Sequence, residues 1–127
     1  DLFHVGHLNM IQTAKSRCEY LIIGVHGDDV VEEYKHRRPI INENDRKRII
    51  ESIKGVDRAE INRFRDKLKL WELYHFDVIF IGDDWKGTER WNNFEKVLAE
   101  INVDVVYVPY TRGISTTDIR KKILDVS

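Results

Sequence analysis

Tyr20-Leu21-Ile22-Ile23-Gly24-Val25-His26 is a short run, apolar on both faces and rich in β-branched side chains. A strand with that pattern is covered on both sides, the condition of strands in a parallel sheet. Val78–Gly82 and Val103–Val108 repeat it, the latter broken by Asp104, and Ala59–Ile61 is a shorter, weaker copy. Stretches of helical period lie between them. Leu8, Ile11 and Ala14 mark a helix following Gly6-His7; Ile49, Ile50 and Ile53 mark one over Arg46 to Lys54. Leu68, Trp71 and Leu73 form a third, Phe94, Val97, Leu98 and Ile101 a fourth, and Ser115 to Leu124 the last. Asn42, three residues before Asp45, is the predicted N-cap of the second helix. Strands alternating with helices predict an α/β fold: one doubly wound parallel sheet with helices on both faces. The chain opens at Asp1-Leu2-Phe3-His4, directly before a helix, whereas the first strand of such a sheet usually lies centrally. The first strand is therefore expected to be missing here and to stand upstream in the natural chain.

The 127 residues suit one domain spanning 1–127, with 42% hydrophobic and 34% charged side chains. Lys and Arg number 21 and Asp and Glu 22, giving a net charge of −1. That balance removes the electrostatic case for a nucleic-acid or membrane-surface binder. One cysteine, Cys18, can form neither an internal disulfide nor a zinc cluster, and a reducing cytoplasmic setting fits. No apolar run is long enough to span a bilayer, and no basic-then-apolar leader opens the stretch.

Chemistry concentrates in four places. His4-Val5-Gly6-His7 puts two imidazoles and a glycine at a helix start, where free N–H groups favour phosphate. A polar loop there carries few core contacts, so replacing either histidine is expected to leave folding nearly unchanged. Gly113-Ile114-Ser115-Thr116-Thr117 precedes the last helix; an N-cap accounts for one of its three hydroxyls, and the others are candidate phosphate donors. The two helix starts are expected to converge on one polyphosphate. Gly82-Asp83-Asp84-Trp85-Lys86-Gly87 follows a buried strand, at the carboxyl end where open α/β sheets bind ligands, although such a segment also makes a plain turn. Lys35-His36-Arg37-Arg38-Pro39, with Arg46 beyond it, is either a solvated loop or a set of cations for phosphate charge.

These motifs resemble the nucleotidyltransferase superfamily. Asp1 to His7 is similar to the end of its G-T-F-D-x-x-H-x-G-H signature, the G-T-F being absent. Gly82 to Gly87 and Gly113 to Thr117 resemble the G-D-D-W-x-G and G-I-S-T-T segments of glycerol-3-phosphate cytidylyltransferases. The resemblance implies a Rossmann-like fold, commonly dimeric, that transfers CMP from CTP to a phosphorylated alcohol, glycerol 3-phosphate foremost, and releases pyrophosphate. It implies that His4, His7 and Lys35 stabilise charge on the reacting phosphates. It further implies that Gly6, Ser115 and Thr116 border the triphosphate, and that Asp1 lies near the α-phosphate and a Mg2+ bound with the nucleotide. Gly82 and Asp83 would border the nucleoside, and Arg46 would reach a substrate phosphate. Tyr110 stands where the related R-T-x-G-I-S-T-T pattern has arginine, so either Arg112, two residues on, serves the nucleotide or the chain belongs to a subgroup with a different acceptor. No metal ligand is assigned to the protein itself.

In-line displacement at the α-phosphorus needs no protein nucleophile, because the acceptor phosphate is already an anion. Two rival readings remain at this stage. One is an adenylyltransferase using ATP on a sugar phosphate or another phosphorylated small molecule, since base choice rests on a few bonds at a pocket edge. The other is a non-catalytic nucleotide-binding module that keeps the fold.

Overall fold

The computed structural model describes residues 2–126. In chain order they form α1 (Val5–Lys15), β1 (Ile22–His26), α2 (Asp28–Lys35), α3 (Glu43–Glu51), β2 (Arg58–Asn62) and α4 (Lys67–Tyr74). Then come β3 (Val78–Gly82), a 3-10 turn at Asp83–Trp85, α5 (Glu89–Ala99), β4 (Asp104–Val108) and α6 (Thr116–Val126). The fold is α/β with parallel strands. β1 pairs with β2, Ile22 opposite Arg58 through His26 opposite Asn62. β3 pairs with β4, Val78 opposite Asp104 through Gly82 opposite Val108.

The doubly wound parallel α/β class holds; its strands pair as two two-stranded ladders in place of one continuous sheet. Apolar patterning shows that a strand is covered, but not which strand lies at its edge. Among the described residues no strand pairs with both ladders. The chain divides accordingly into two compact units, one running to Arg63 and resuming at Thr111, the other Phe64–Tyr110.

In the first unit Ile11, Ala14, Leu21, Val25, Val30, Val31 and Ala59 are buried, and α3 packs on β1 and β2. Asp57 ties α1 to β1, accepting from Lys15 Nζ at 2.8 Å and from Leu21 N–H at 2.7 Å. In the second unit α5 packs on β4 and α4 on α5, around Leu70, Trp91, Leu98, Val103 and Val108. Leu98 and Val108 are wholly buried, each adding about 2 kcal/mol by its removal from water.

Two helix starts and one whole helix differ from the sequence reading. α1 begins at Val5, so His7 sits in its first turn and not before it. α3 begins at Glu43; Asn42 is its N-cap as expected, accepting from Asp45 N–H at 3.0 Å. α2 was not anticipated, and it makes Lys35 the last residue of a helix instead of the start of a loop. No helix among the described residues is long and apolar enough to cross a membrane.

Candidate active site

His4 is itself the N-cap of α1. Its backbone is extended (φ −141°, ψ 178°), which turns the imidazole back over the helix start. His4 Nδ1 accepts from Gly6 N–H at 3.0 Å, and His4 N–H donates to His7 Nδ1 at 3.1 Å, a reciprocal capping box built from two histidines. The ring centroids are 4.0 Å apart, and Phe3 stacks on His7 with centroids 5.4 Å apart. Gly6 makes this possible, since a Cβ there would stand 2.7 Å from His4 Cε1. The expectation that either histidine can be lost without cost to folding is thereby revised, because each supports the helix start.

The same two bonds assign the tautomers. With Nδ1 accepting in both rings, each neutral imidazole carries its proton on Nε2. Burial lowers the His4 imidazolium below its ordinary value. Burial, then His4, then the charge of Lys35 push His7 down to about 4. Both rings are therefore neutral near pH 7 and carry Nε2–H donors, while positive charge comes from Lys35, close enough for its field to act on His7. Lys35 Nζ also lies 5.7 Å from the Tyr34 ring centroid.

The second helix start meets the first. Thr116 Oγ1 donates to Leu2 C=O at 3.4 Å, and Asn9 Nδ2 donates to Thr111 Oγ1 at 3.2 Å. Ser115 Oγ accepts from Asp118 N–H at 3.0 Å and acts as the cap of α6. Gly113 has φ +82°, a left-handed conformation that favours glycine and turns the chain into the helix. Arg112 is exposed in that turn. His4, Gly6, His7, Lys35, Ser115 and Thr116 thus belong to one unit, with α1 and α6 starting side by side.

Other expected residues stand differently. Arg46 Nη2 pairs with Asp28 Oδ1 at 2.7 Å and its Nε donates to Ile41 C=O at 2.9 Å, so its guanidinium holds α3 to α2. Gly82 and Asp83 belong to the second unit, where Gly82 is buried at the end of β3 and Asp83 Oδ1 accepts from Tyr110 N–H at 3.1 Å. Asp1 lies outside the described residues. Sequence reasoning passed over Asp28, Glu43 and Arg63, which bind one another around the start of α2. Only the acidic pair Asp28-Asp29 after a strand hinted at them.

Among the described residues no three His, Cys, Asp or Glu side chains converge on one point. The donors gathered at the two helix starts are N–H, O–H and ammonium groups, which suit phosphate oxygens and not a bare divalent cation.

The model of the cytidylyltransferase-like family matches residues 1–122. The chain is 35% identical over 122 residues to a glycerol-3-phosphate cytidylyltransferase of Bacillus spizizenii, covering 95% of this chain and 88% of that protein. It is 32% identical over 127 residues to an FAD synthase of Korarchaeum cryptofilum, covering 98% and 86%. Among solved structures, a lipopolysaccharide core biosynthesis protein from Thermoplasma volcanium superposes with a TM-score of 0.71 and 26% identity, over 87% of this chain and 88% of that one.

Proposed function

Because the chain belongs to the cytidylyltransferase-like family and is a nucleotidyltransferase, we propose that it transfers CMP from MgCTP to a phosphorylated alcohol, glycerol 3-phosphate foremost. An oxygen of the acceptor phosphate attacks the α-phosphorus, forming the new O–P bond as the bond to the β-phosphate oxygen breaks. Pyrophosphate leaves with the displaced electron pair, and no proton changes hands on the protein. Mg2+ enters as part of the nucleotide.

The observation that carries this reading is the paired neutral imidazoles, each with Nδ1 occupied and Nε2–H available at a helix start. Two preorganised neutral donors stabilise charge that grows on α-phosphate oxygens and need not reorganise as it grows. Lys35 supplies a full charge whose field reaches His7, and Gly6, Thr116, Ser115 and Arg112 are assigned to the β- and γ-phosphates. Gly82 and Asp83 are assigned to the nucleoside. The family resemblance adds a cytoplasmic homodimer as the working form.

A second reading, adenylyl transfer from ATP, is kept open by the FAD synthase relative. Pyrophosphate release, measured with CTP and with ATP against glycerol 3-phosphate and other phosphorylated alcohols, decides between them. CTP is expected to be preferred by at least about tenfold in kcat/KM, roughly 1.4 kcal/mol at the transition state. Equal or faster turnover with ATP would move the assignment to the second reading.

A further inference from the structure

Two carboxylates stand at the starts of two helices, and each serves the other's backbone. Asp28 N–H donates to Glu43 Oε1 at 2.9 Å and Glu43 N–H to Asp28 Oδ2 at 3.2 Å, so α2 and α3 cap one another. An arginine grips each carboxylate. Arg46 Nη2 lies 2.7 Å from Asp28 Oδ1, while Arg63, just past β2, donates from Nη1 to Glu43 Oε1 at 2.8 Å and from Nη2 to Oε2. The Arg63 hydrogen bonds and the Asp28 N–H hold the Glu43 carboxyl down at about 2.

The passage of Arg63 is built into the chain. A Cβ on Gly27 would stand 2.7 Å from Arg63 Nη1 and 3.3 Å from Asn62 C=O. Gly27 has φ −59°, open to any residue, so what glycine supplies here is room for the guanidinium. The Arg63 side chain is 56% exposed, and an ion pair that open to solvent adds little stability of its own. Its contribution is geometric.

α2 acts as a lever. It has eight residues, so Lys35 stands about 12 Å from the clamped end. A tilt of about 10° at that end carries Lys35 about 2 Å sideways, and displacements of about 1 Å at a reacting centre cost on the order of a hundredfold in rate. We propose that Glu43 and Arg63 are positioning residues: by latching the start of α2 to α3 and to the end of β2, they fix where Lys35 stands at the far end of α2. The inference rests on reading the His4–His7 pair as part of a CMP-transfer centre.

The test follows the titration of His7 by NMR in the full chain, beside CMP-transfer kinetics. Lys35→Met removes a charge that depresses His7, so His7 should titrate at a higher pH than in the wild type. Arg63→Met should move His7 part of that distance and lower kcat by about tenfold or more, with the KM for CTP changed only about twofold. Arg63→Lys, which retains a donor to Glu43, should restore most of both. In the Lys35→Met background, Arg63→Met should add almost nothing, because both act through one ammonium. The latch is refuted if Arg63→Met lowers kcat with His7 unmoved, if its effect adds in full to that of Lys35→Met, or if it leaves both readouts at wild type. Glu43→Gln keeps an acceptor for Asp28 N–H and gives a second, milder variant should Arg63→Met fold poorly; it should shift His7 in the same direction, and an unmoved His7 again refutes the latch. A wild-type protein that releases no pyrophosphate would overturn the CMP-transfer reading, while the His7 titration would still decide the latch.

Discussion

Replacing His7 by asparagine and by alanine separates two roles that the structure places on one ring. Nδ1 accepts the His4 N–H at 3.1 Å and holds the start of α1; Nε2–H is the proposed donor to the α-phosphate. Alanine removes both. Loss of the reciprocal cap should cost about 1 kcal/mol, a fall of about 4 °C in Tm for a chain of this size. Loss of one preorganised donor should cost about 3 kcal/mol in the transition state, on the order of a hundredfold in kcat. The same donor in the ground state is worth about 1 kcal/mol, so CTP affinity should fall only about fivefold. Asparagine at the third helical position can accept from the His4 N–H through Oδ1, yet it carries no donor where Nε2 stood. It should restore Tm and leave kcat low. The assays are pyrophosphate release, CTP titration calorimetry and thermal melting on wild type and both variants. If asparagine restores kcat together with Tm, His7 is a cap and nothing more. If turnover and CTP affinity fall by the same factor, the ring only binds.

Stability should depend on pH through the same residue. The folded value of about 4 lies below the ordinary 6.5, so between those limits the unfolded chain binds a proton that the folded chain does not. Stability is therefore full above about pH 6.5 and declines as pH falls toward 4; linkage allows about 3 kcal/mol, and the ring's partial exposure reduces this to about 2. Urea midpoints at pH 7, 5.5 and 4.5 should show that decline in the wild type and lose most of it in His7→Asn. Arg46→Met should leave the Asp28 carboxylate without its cation where the two side chains are only 12% and 15% exposed, costing about 3 kcal/mol, or about 10 °C in Tm. Were Arg46 chiefly a substrate ligand, the KM for the acceptor phosphate would rise with Tm unchanged.

Much of this was legible in one dimension. β3 runs from Val78 to Gly82 as its apolar run does, and Asn42 caps α3 as its spacing to Asp45 implied, because both signals are local: which faces are covered, and which side chain reaches a backbone N–H three residues on. The His-x-Gly-His segment was likewise visible as a helix start with two imidazoles. α2 escaped because its buried residues are only Val30 and Val31 in a strongly charged stretch, and much of its support comes from Glu43, fifteen residues away. Two chain-distant facts then decide what the visible residues do. Arg46 carries a charge that the sequence could assign to any anion, and the packing of α2 beside α3 gives it to Asp28. The division into two ladders depends on which strand edges meet, a property of chain packing that no strand records in its own residues. The sequence by itself determined the strands, every α-helix but α2, the parallel α/β class and which residues are candidate phosphate donors, because side-chain period and residue chemistry are local. Tertiary structure alone decided that Arg46 pairs with Asp28 and Arg63 with Glu43, because those partners lie eighteen and twenty residues apart and meet only where the fold brings them together, whereas the His4–His7 cap that keeps both protons on Nε2 spans only three residues.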